Sequence, residues 1–287
     1  MARRENRRDR LVSQPEWESI AGVGWADRIM ELELSDRFHS KQGRSIVRWT
    51  VTNLGNPCVV YLKRHYKLPR WMSWARRYLP NKDFSPGLQE YHHLQWAVKQ
   101  GIPVPKALAA GEFQGENGQL QGFIAIAELT DMIGLHEAIP EAERKLSPED
   151  FRWWKHGLFA ELARLSHLFH DRNAYHQDWY LCHFYIPQRM CDTPPAEWQG
   201  QVFVIDFHRL RTGPILGFQS RMKDLAQLQY SAIWPGVTAE DRQHFWKIYS
   251  KSLPRIYRKL LRWGIEIKMA LYRRNHRRAE RRKHAHT

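Results

Sequence analysis

The sequence predicts an α+β chain in two lobes, a small β-rich lobe to about residue 130 and a mainly helical lobe after it. Two patterns and the composition predict this. The longer strand-like runs, residues 46–51 (IVRWTV), 58–65 (CVVYLKRH) and 122–129 (GFIAIAEL), all fall in the first part. Residues 151–172, rich in Trp, Phe and Leu, read as one long helix in the second. An apolar content of 43% with 13% aromatic residues is enough to bury a core in a chain of 287 residues.

The elements follow in order. Residues 1–15 are basic and are expected to be a disordered arm. The first two strands are joined by TNLGNP, whose turn chemistry predicts a hairpin. Residues 67–85, basic and aromatic, read as an insertion after it. Residues 88–99 carry helical periodicity, with Leu88, Tyr91, Leu94, Gln95 and Val98 near one face and Gly101 as the stop. From about residue 239 the chain reads as helix that dissolves into a basic tail. The expected organisation is arm 1–15, first lobe 16–130, second lobe 131–272 and tail 273–287, with no internal repeat.

Composition narrows the function classes. Cys58, Cys182 and Cys191 form no CxxC pair, which points to a reducing compartment without a disulfide framework. The histidines are not spaced as a zinc site. The charged start MARRENRRDR leads into no apolar run, so no signal peptide is expected, and no apolar stretch is long enough to cross a bilayer. A cytoplasmic location is expected. The net charge of +15 asks for an anionic partner: a nucleotide, a nucleic acid or an acidic membrane surface.

The chemistry is concentrated in two strings. HQDWYLCHF (176–184) places His176 two residues before Asp178 and His183 five residues after it. VIDFHR (204–209) puts Asp206 at the end of an apolar strand and before Phe207. This is the order in which a kinase carries its catalytic base, a second metal-ligand position and the Asp that holds magnesium. Asp178 is the candidate base, because phosphoryl transfer needs a carboxylate to accept the acceptor-hydroxyl proton; the bland reading is a turn or capping Asp. Asp206 is the candidate Mg²⁺ ligand, against a strand-end Asp satisfied by backbone. His183 stands where kinases have an Asn; imidazole suits softer metals, so phosphate contact or loop support are its other readings. His176 is read as a loop organiser. Lys63 shares a strand face with Val59 and Tyr61, and Glu90 at the start of the next helix is its expected partner. Asp224 in KDLAQL is read as a helix cap that also props the loop.

These strings resemble the lipopolysaccharide core kinase (Kdo/WaaP) family of the protein-kinase-like superfamily. The resemblance is carried by YHQDWYLCHFYI (175–186), VIDFHRLR (204–211) and KDLAQLQYSA (223–232), with support from GLQEYHHLQWAVKQGIPVPKALAAGE (87–112), and runs from about residue 44 to 232. It implies a two-lobed protein-kinase-like fold and an ATP- and Mg²⁺-dependent kinase of a sugar hydroxyl, heptose or Kdo, in the lipopolysaccharide inner core. It implies that Lys63 contacts the nucleotide phosphates, that Glu90 positions Lys63, and that Glu128 and Leu129 form the adenine hinge. No glycine-rich loop is present: SKQGRS (40–45) has a single glycine, so Lys41 and Arg44 would have to supply charge there. A protein or other small-molecule kinase, and an inactive kinase-like scaffold binding anionic lipid or nucleic acid, are the alternatives; no specific nucleic acid is expected. Ile256, Leu260, Trp263, Ile267 and Leu271 recur at helical spacing, as the buried face of a last core helix or as a basic amphipathic helix on an anionic membrane. The Arg cluster after them suits a peripheral position on the inner face of the inner membrane.

Overall fold

The computed structural model of the chain describes residues 9–33, 37–39, 43–51, 58–79, 81–115, 118–215, 217–233 and 236–284. The chain divides into two compact units, residues 1–130 and 131–287.

The first unit runs β1 (Arg10–Ser13), α1 (Trp17–Ala21), α2 (Trp25–Arg28), β2 (Arg37–His39), β3 (Arg44–Val51), β4 (Cys58–His65), α3 (Arg70–Tyr78), α4 (Pro86–Lys99), β5 (Ala107–Gln114) and β6 (Leu120–Ala127). Its strands form one antiparallel sheet in the order β1-β5-β6-β4-β3-β2. β3 and β4 pair from Arg44↔His65 to Val51↔Cys58, as a hairpin requires; its turn, 52–57, lies outside the described residues. Residues 10–13, expected to be disordered, instead add an edge strand to β5. β5 itself escapes the periodicity reading because its Ala-rich start lacks the branched residues that mark a strand.

Pleating sends β4 side chains to opposite faces. Val60, Leu62 and Arg64 point into a core built with Trp17, Ile29, Val47 and Phe123, while Lys63 points to the side where α4 packs. Arg64, at 1% exposure, donates to the Ile29 and Leu32 carbonyls and so ties the chain after α2 to the sheet. α4 begins at Ser85, whose hydroxyl caps Leu88 N–H, with Pro86 in its first turn. Buried Glu112 of β5 accepts from the Phe84 and Ser85 N–H groups at 2.9 and 2.5 Å and fixes that entry. Gly87 is required there: a Cβ would stand 2.4 Å from the Phe123 carbonyl oxygen. The buried residues of α4 include Leu88, Tyr91, Leu94 and Glu90, whereas Val98 is exposed. The apolar face read from sequence is therefore rotated, because the Lys63 ion pair draws Glu90 inward.

The second unit runs β7 (Met132–Gly134), α5 (Leu135–Lys145), α6 (Pro148–Asp171), β8 (Ala174–Tyr175), β9 (Phe184–Pro187), β10 (Phe203–Val204), β11 (Arg211–Thr212), α7 (Gly217–Ser231), α8 (Ala239–Tyr249) and α9 (Arg255–His284), with single 3-10 turns at Leu181–His183, Gln188–Cys191 and Phe207–Arg209. The small sheet β10-β9-β7 and the pair β11-β8 carry the loops of interest. α6 is the central helix, capped by Ser147 and Pro148 and burying Leu158, Leu162, Leu165 and Phe169. α9 continues to His284, so residues 273–284 are helix and not a dissolving tail.

Candidate active site

In the first unit Lys63 Nζ lies 2.8 Å from Glu90 Oε1. The lysine side chain keeps 20% of its surface and the glutamate 3%, so the carboxylate is the buried anchor of a part-buried pair. A buried carboxylate needs such a partner, and the pair locks the direction in which Lys63 presents its remaining donors. Glu128 follows β6. Its carboxylate takes Arg48 Nε and Nη2 at 2.6 and 2.8 Å and the Tyr61 hydroxyl at 3.2 Å. The Arg48 hydrogen bonds hold its pKa below the usual carboxylate range, against a smaller opposing effect of burial. The Glu128 N–H donates to the Val59 carbonyl at 2.9 Å, so the sheet has taken up that amide, and any hinge contact must use the Glu128 carbonyl or the backbone of Leu129. Of the 40–45 segment, residues 40–42 lie outside the described residues, Gly43 adopts φ +57°, and Ser45 is buried with its hydroxyl 3.1 Å from Tyr66.

In the second unit, a loop from His176 to Tyr180 lies between β8 and the turn Leu181–His183 and is held almost wholly through its backbone. α7 offers Asp224, Gln227 and Ser231 at i, i+3 and i+7, which share one helical face. The two Asp224 carboxylate oxygens accept from the His176 and Gln177 N–H groups, each at 2.9 Å. Gln227 Oε1 accepts from Trp179 N–H at 3.1 Å, and Ser231 Oγ from Leu181 N–H at 2.9 Å. Lys223 Nζ and Gln227 Nε2 both donate to the Gln177 carbonyl, at 2.6 and 3.0 Å. Asp224 is thus a mid-helix template, 1% exposed, and not the helix cap expected from sequence. From the other side, buried Trp179 donates to Ser166 of α6 at 2.9 Å.

Within this frame Gln177 adopts φ +70°, and the next residue, Asp178, keeps 13% of its side-chain surface exposed. A left-handed non-glycine residue costs about 1–2 kcal/mol and persists where its surroundings over-determine it. Arg209 Nη1 lies 3.0 and 3.1 Å from the two Asp178 oxygens. His183 donates from Nδ1 to the Asp178 carbonyl at 2.6 Å, which turns Nε2 toward Asp206 Oδ2, 4.0 Å away. Asp206 follows β10 at φ +66°, ψ +60°, with His208 Nδ1 2.6 Å from its Oδ1. Asp178, His183 and Asp206 are thus brought together around one imidazole. His176 ties the two segments: its Nε2 donates to the Ile205 carbonyl at 3.0 Å, one residue before Asp206. Burial lowers the His176 pKa to about 4, so the ring is neutral at physiological pH. Burial also opposes charge on His183, but Cys182, the Asp178 carbonyl and the Asp206 carboxylate outweigh it and raise its pKa to about 9.

Asp206 supplies the hard oxygen ligand a magnesium ion takes, and Mg²⁺ is commonly held by one or two carboxylates together with phosphate oxygens. Among the described residues no cluster of three or more His, Cys, Asp or Glu can hold a metal ion. His183 fits less well, since imidazole suits softer metals than magnesium. Arg209, Gln227 and Ser231 were not singled out from sequence. Arg209 lies inside the VIDFHR string and carried a visible signal; the other two act on backbone atoms and carried none.

The model of the lipopolysaccharide kinase (Kdo/WaaP) family matches residues 33–249. The chain belongs to that family. Over 213 residues it is 27% identical to the lipopolysaccharide core heptose(I) kinase WaaP of Pseudomonas aeruginosa, covering 74% of this chain and 75% of that one. Over 162 residues it is 29% identical to the enzyme of the same name from Escherichia coli K12, covering 56% and 58%. A solved structure, WaaP in complex with acyl carrier protein, superposes with a TM-score of 0.64 at 23% identity, covering 92% of this chain and 97% of that one. The fold is accordingly the α+β one expected, shared with that structure, with a sheet-rich first unit and a mainly helical second. As a Kdo/WaaP family member the chain is a lipopolysaccharide kinase, a phosphotransferase with a sugar hydroxyl as acceptor, and ATP use follows from that class. Among the described residues no helix is long and apolar enough to cross a membrane.

Proposed function

We propose that this kinase transfers the γ-phosphoryl group of ATP to a heptose hydroxyl of the lipopolysaccharide inner core, at the cytoplasmic face of the membrane, with Asp178 as its general base. The observation that carries the assignment is the α7-templated loop, which presents Asp178 and His183 beside Asp206. Asp178 accepts the hydroxyl proton as the acceptor oxygen bonds to the γ-phosphorus and the bond to the ADP oxygen breaks. Asp206 would hold magnesium, which when bound neutralises charge on the transferring phosphoryl group. Lys63, braced by Glu90, meets the nucleotide phosphates, and the Glu128 carbonyl and Leu129 backbone meet the adenine. His183 we assign to orienting the loop and to phosphate contact, because imidazole suits softer metals than magnesium.

The names of the curated relatives favour heptose over Kdo as the acceptor. The acceptor's membrane setting suits peripheral attachment through the basic residues after Tyr272. The solved WaaP is bound to acyl carrier protein, and a partner of that kind is proposed for this chain as well. The test is ATP turnover with Mg²⁺ on delipidated core oligosaccharide with and without its heptose. Asp178→Asn should bind nucleotide but lose about two or more orders of magnitude in turnover, the scale of general-base catalysis. Full activity of that variant, or equal activity without heptose, would refute the proposal.

A further inference from the structure

Two features of the outer side of α9 belong to none of the chemistry above. The first is an apolar stripe. Ile256, Leu260, Trp263, Ile267 and Leu271 follow one another by four, three, four and four residues, which keeps them on one face along about 22 Å of helix. All five are exposed, Ile256 at 75% and Trp263 at 68%. The core face of the helix is a different set: Leu261, Ile265 and Met269 are buried, and Gly264 lets Met222 of α7 approach so closely that a Cβ would stand 2.3 Å from its sulfur. α9 is thus a core helix, as one of the two sequence readings had it, but the stripe is not the face that it buries.

The second feature is charge. The 30 residues of α9 contain 12 Arg or Lys and 2 Glu. At its first turns a cavity of about 550 Å³ is lined by Trp246, Ile256, Arg255, Arg258, Lys259 and Arg262. Four cations around one concavity select an anion, and the stripe that starts at its rim selects an apolar phase.

A bilayer surface with anionic headgroups offers both at once. A helix with one apolar and one cationic side lies in that interface, apolar face down. Trp suits the boundary because its ring is apolar and its N–H polar, and Arg stems cover apolar surface while their heads stay wet. An acidic protein would meet the charge but would need its own straight apolar groove to cover the stripe. We propose that the outer face of α9 is an in-plane anchor on anionic membrane, with the stripe in the acyl-chain boundary and a lipid phosphate seated in the Arg255–Arg262 cavity. This deepens the functional reading, which places the acceptor on a membrane, but its test needs no turnover.

The full chain is mixed with vesicles of phosphatidylcholine alone or with one third phosphatidylglycerol, at low and high salt, and bound protein is measured by sedimentation. The wild type should bind the mixed vesicles, and part of that binding should survive high salt, which screens exposed charge but leaves apolar burial intact. Leu260→Ser with Trp263→Ser should remove the salt-resistant part, weakening binding by about tenfold or more. Arg255→Gln with Arg262→Gln should remove mainly the salt-sensitive part. Independently of any double variant, brominated lipid should quench wild-type fluorescence more than that of Trp263→Phe. Unchanged binding in both double variants, or equal quenching, would overturn the anchor. So would wild-type indifference to vesicles combined with stripe-dependent capture of acyl carrier protein, which would make the face a protein dock. Turnover on soluble core oligosaccharide should be the same in all these variants. Its absence from the wild type would count against the kinase reading alone.

Discussion

Asp224→Asn tests the idea that α7 sets the geometry of the catalytic loop. The wild-type carboxylate accepts two buried backbone N–H groups, one on each oxygen, at 2.9 Å. An amide has only one acceptor oxygen. If that oxygen stays with Gln177, the NH₂ faces the His176 N–H, donor against donor. His170 Nε2, 3.5 Å from Oδ2, can take one amide hydrogen, but the His176 N–H still has no acceptor. An unsatisfied buried donor costs about 1–3 kcal/mol, and the surviving bond loses its charge assistance. The expected loss of stability is about 2–4 kcal/mol. A loop shift of about 1 Å, enough to relieve the clash, costs about 10²-fold in turnover. Denaturant unfolding and steady-state turnover measure the two effects. Asp241→Asn is the control: it removes the partner of Lys155, 2.7 Å away on α6, and should lower stability without touching the loop. An Asp224→Asn enzyme with wild-type turnover would refute the template argument, whatever its stability. Equal loss of turnover in both variants would refute it as well, by showing that activity merely follows stability.

Asp206→Asn should fold, since Asn tolerates the left-handed backbone found there, yet bind ATP with the same affinity with and without Mg²⁺; retained metal dependence by titration calorimetry would remove Asp206 as the ligand. Glu90→Gln weakens a charge-assisted contact worth about 1.5–3 kcal/mol, so kcat/KM for ATP should fall about 10–100-fold while activity stays above that of Lys63→Ala. His176 has a folded pKa near 4, below its ordinary 6.5. Its contribution is therefore full above pH 6.5 and declines as the pH falls toward 4, by at most about 3 kcal/mol, because the unfolded chain takes up the proton first. Unfolding midpoints measured between pH 7 and 4 should show that slope, and His176→Gln should flatten it.

The parts of the site legible in sequence are those where a side chain does its work in an unusual setting. Lys63 is a charge within an apolar strand, Asp206 a carboxylate after Val204 and Ile205, and Asp178 the third residue of a His-x-Asp string. What escaped is tertiary. Arg64 sits one residue from Lys63, and only the pleat sends it to the buried face, where it holds two carbonyls. Periodicity marks Ile256 to Leu271 as an apolar face of α9, but it does not say that the face meeting α7 is another one, Leu261 to Met269. The 10–13 strand lay in a basic segment because an edge strand tolerates charge, and its backbone pairing with β5 leaves no mark on its own residues.

α7 shows why part of this site stays hidden and why it is nonetheless well defined. Asp224, Gln227 and Ser231 bond to N–H groups of the loop, which any residue other than proline possesses. The loop's shape is therefore specified largely outside the loop. Most side chains of the loop are also tied to structure: His176 to the Ile205 carbonyl, Gln177 to Lys223, Trp179 to Ser166 and Tyr180 to Gln227. Gln177 takes the left-handed turn, and the next side chain, Asp178, is the one left for chemistry. Gln227→Leu, which touches no reacting atom, should depress kcat more than KM by releasing the Trp179 N–H and taking away one of the two donors to the Gln177 carbonyl. A rise in KM with kcat unchanged would instead place Gln227 in substrate binding.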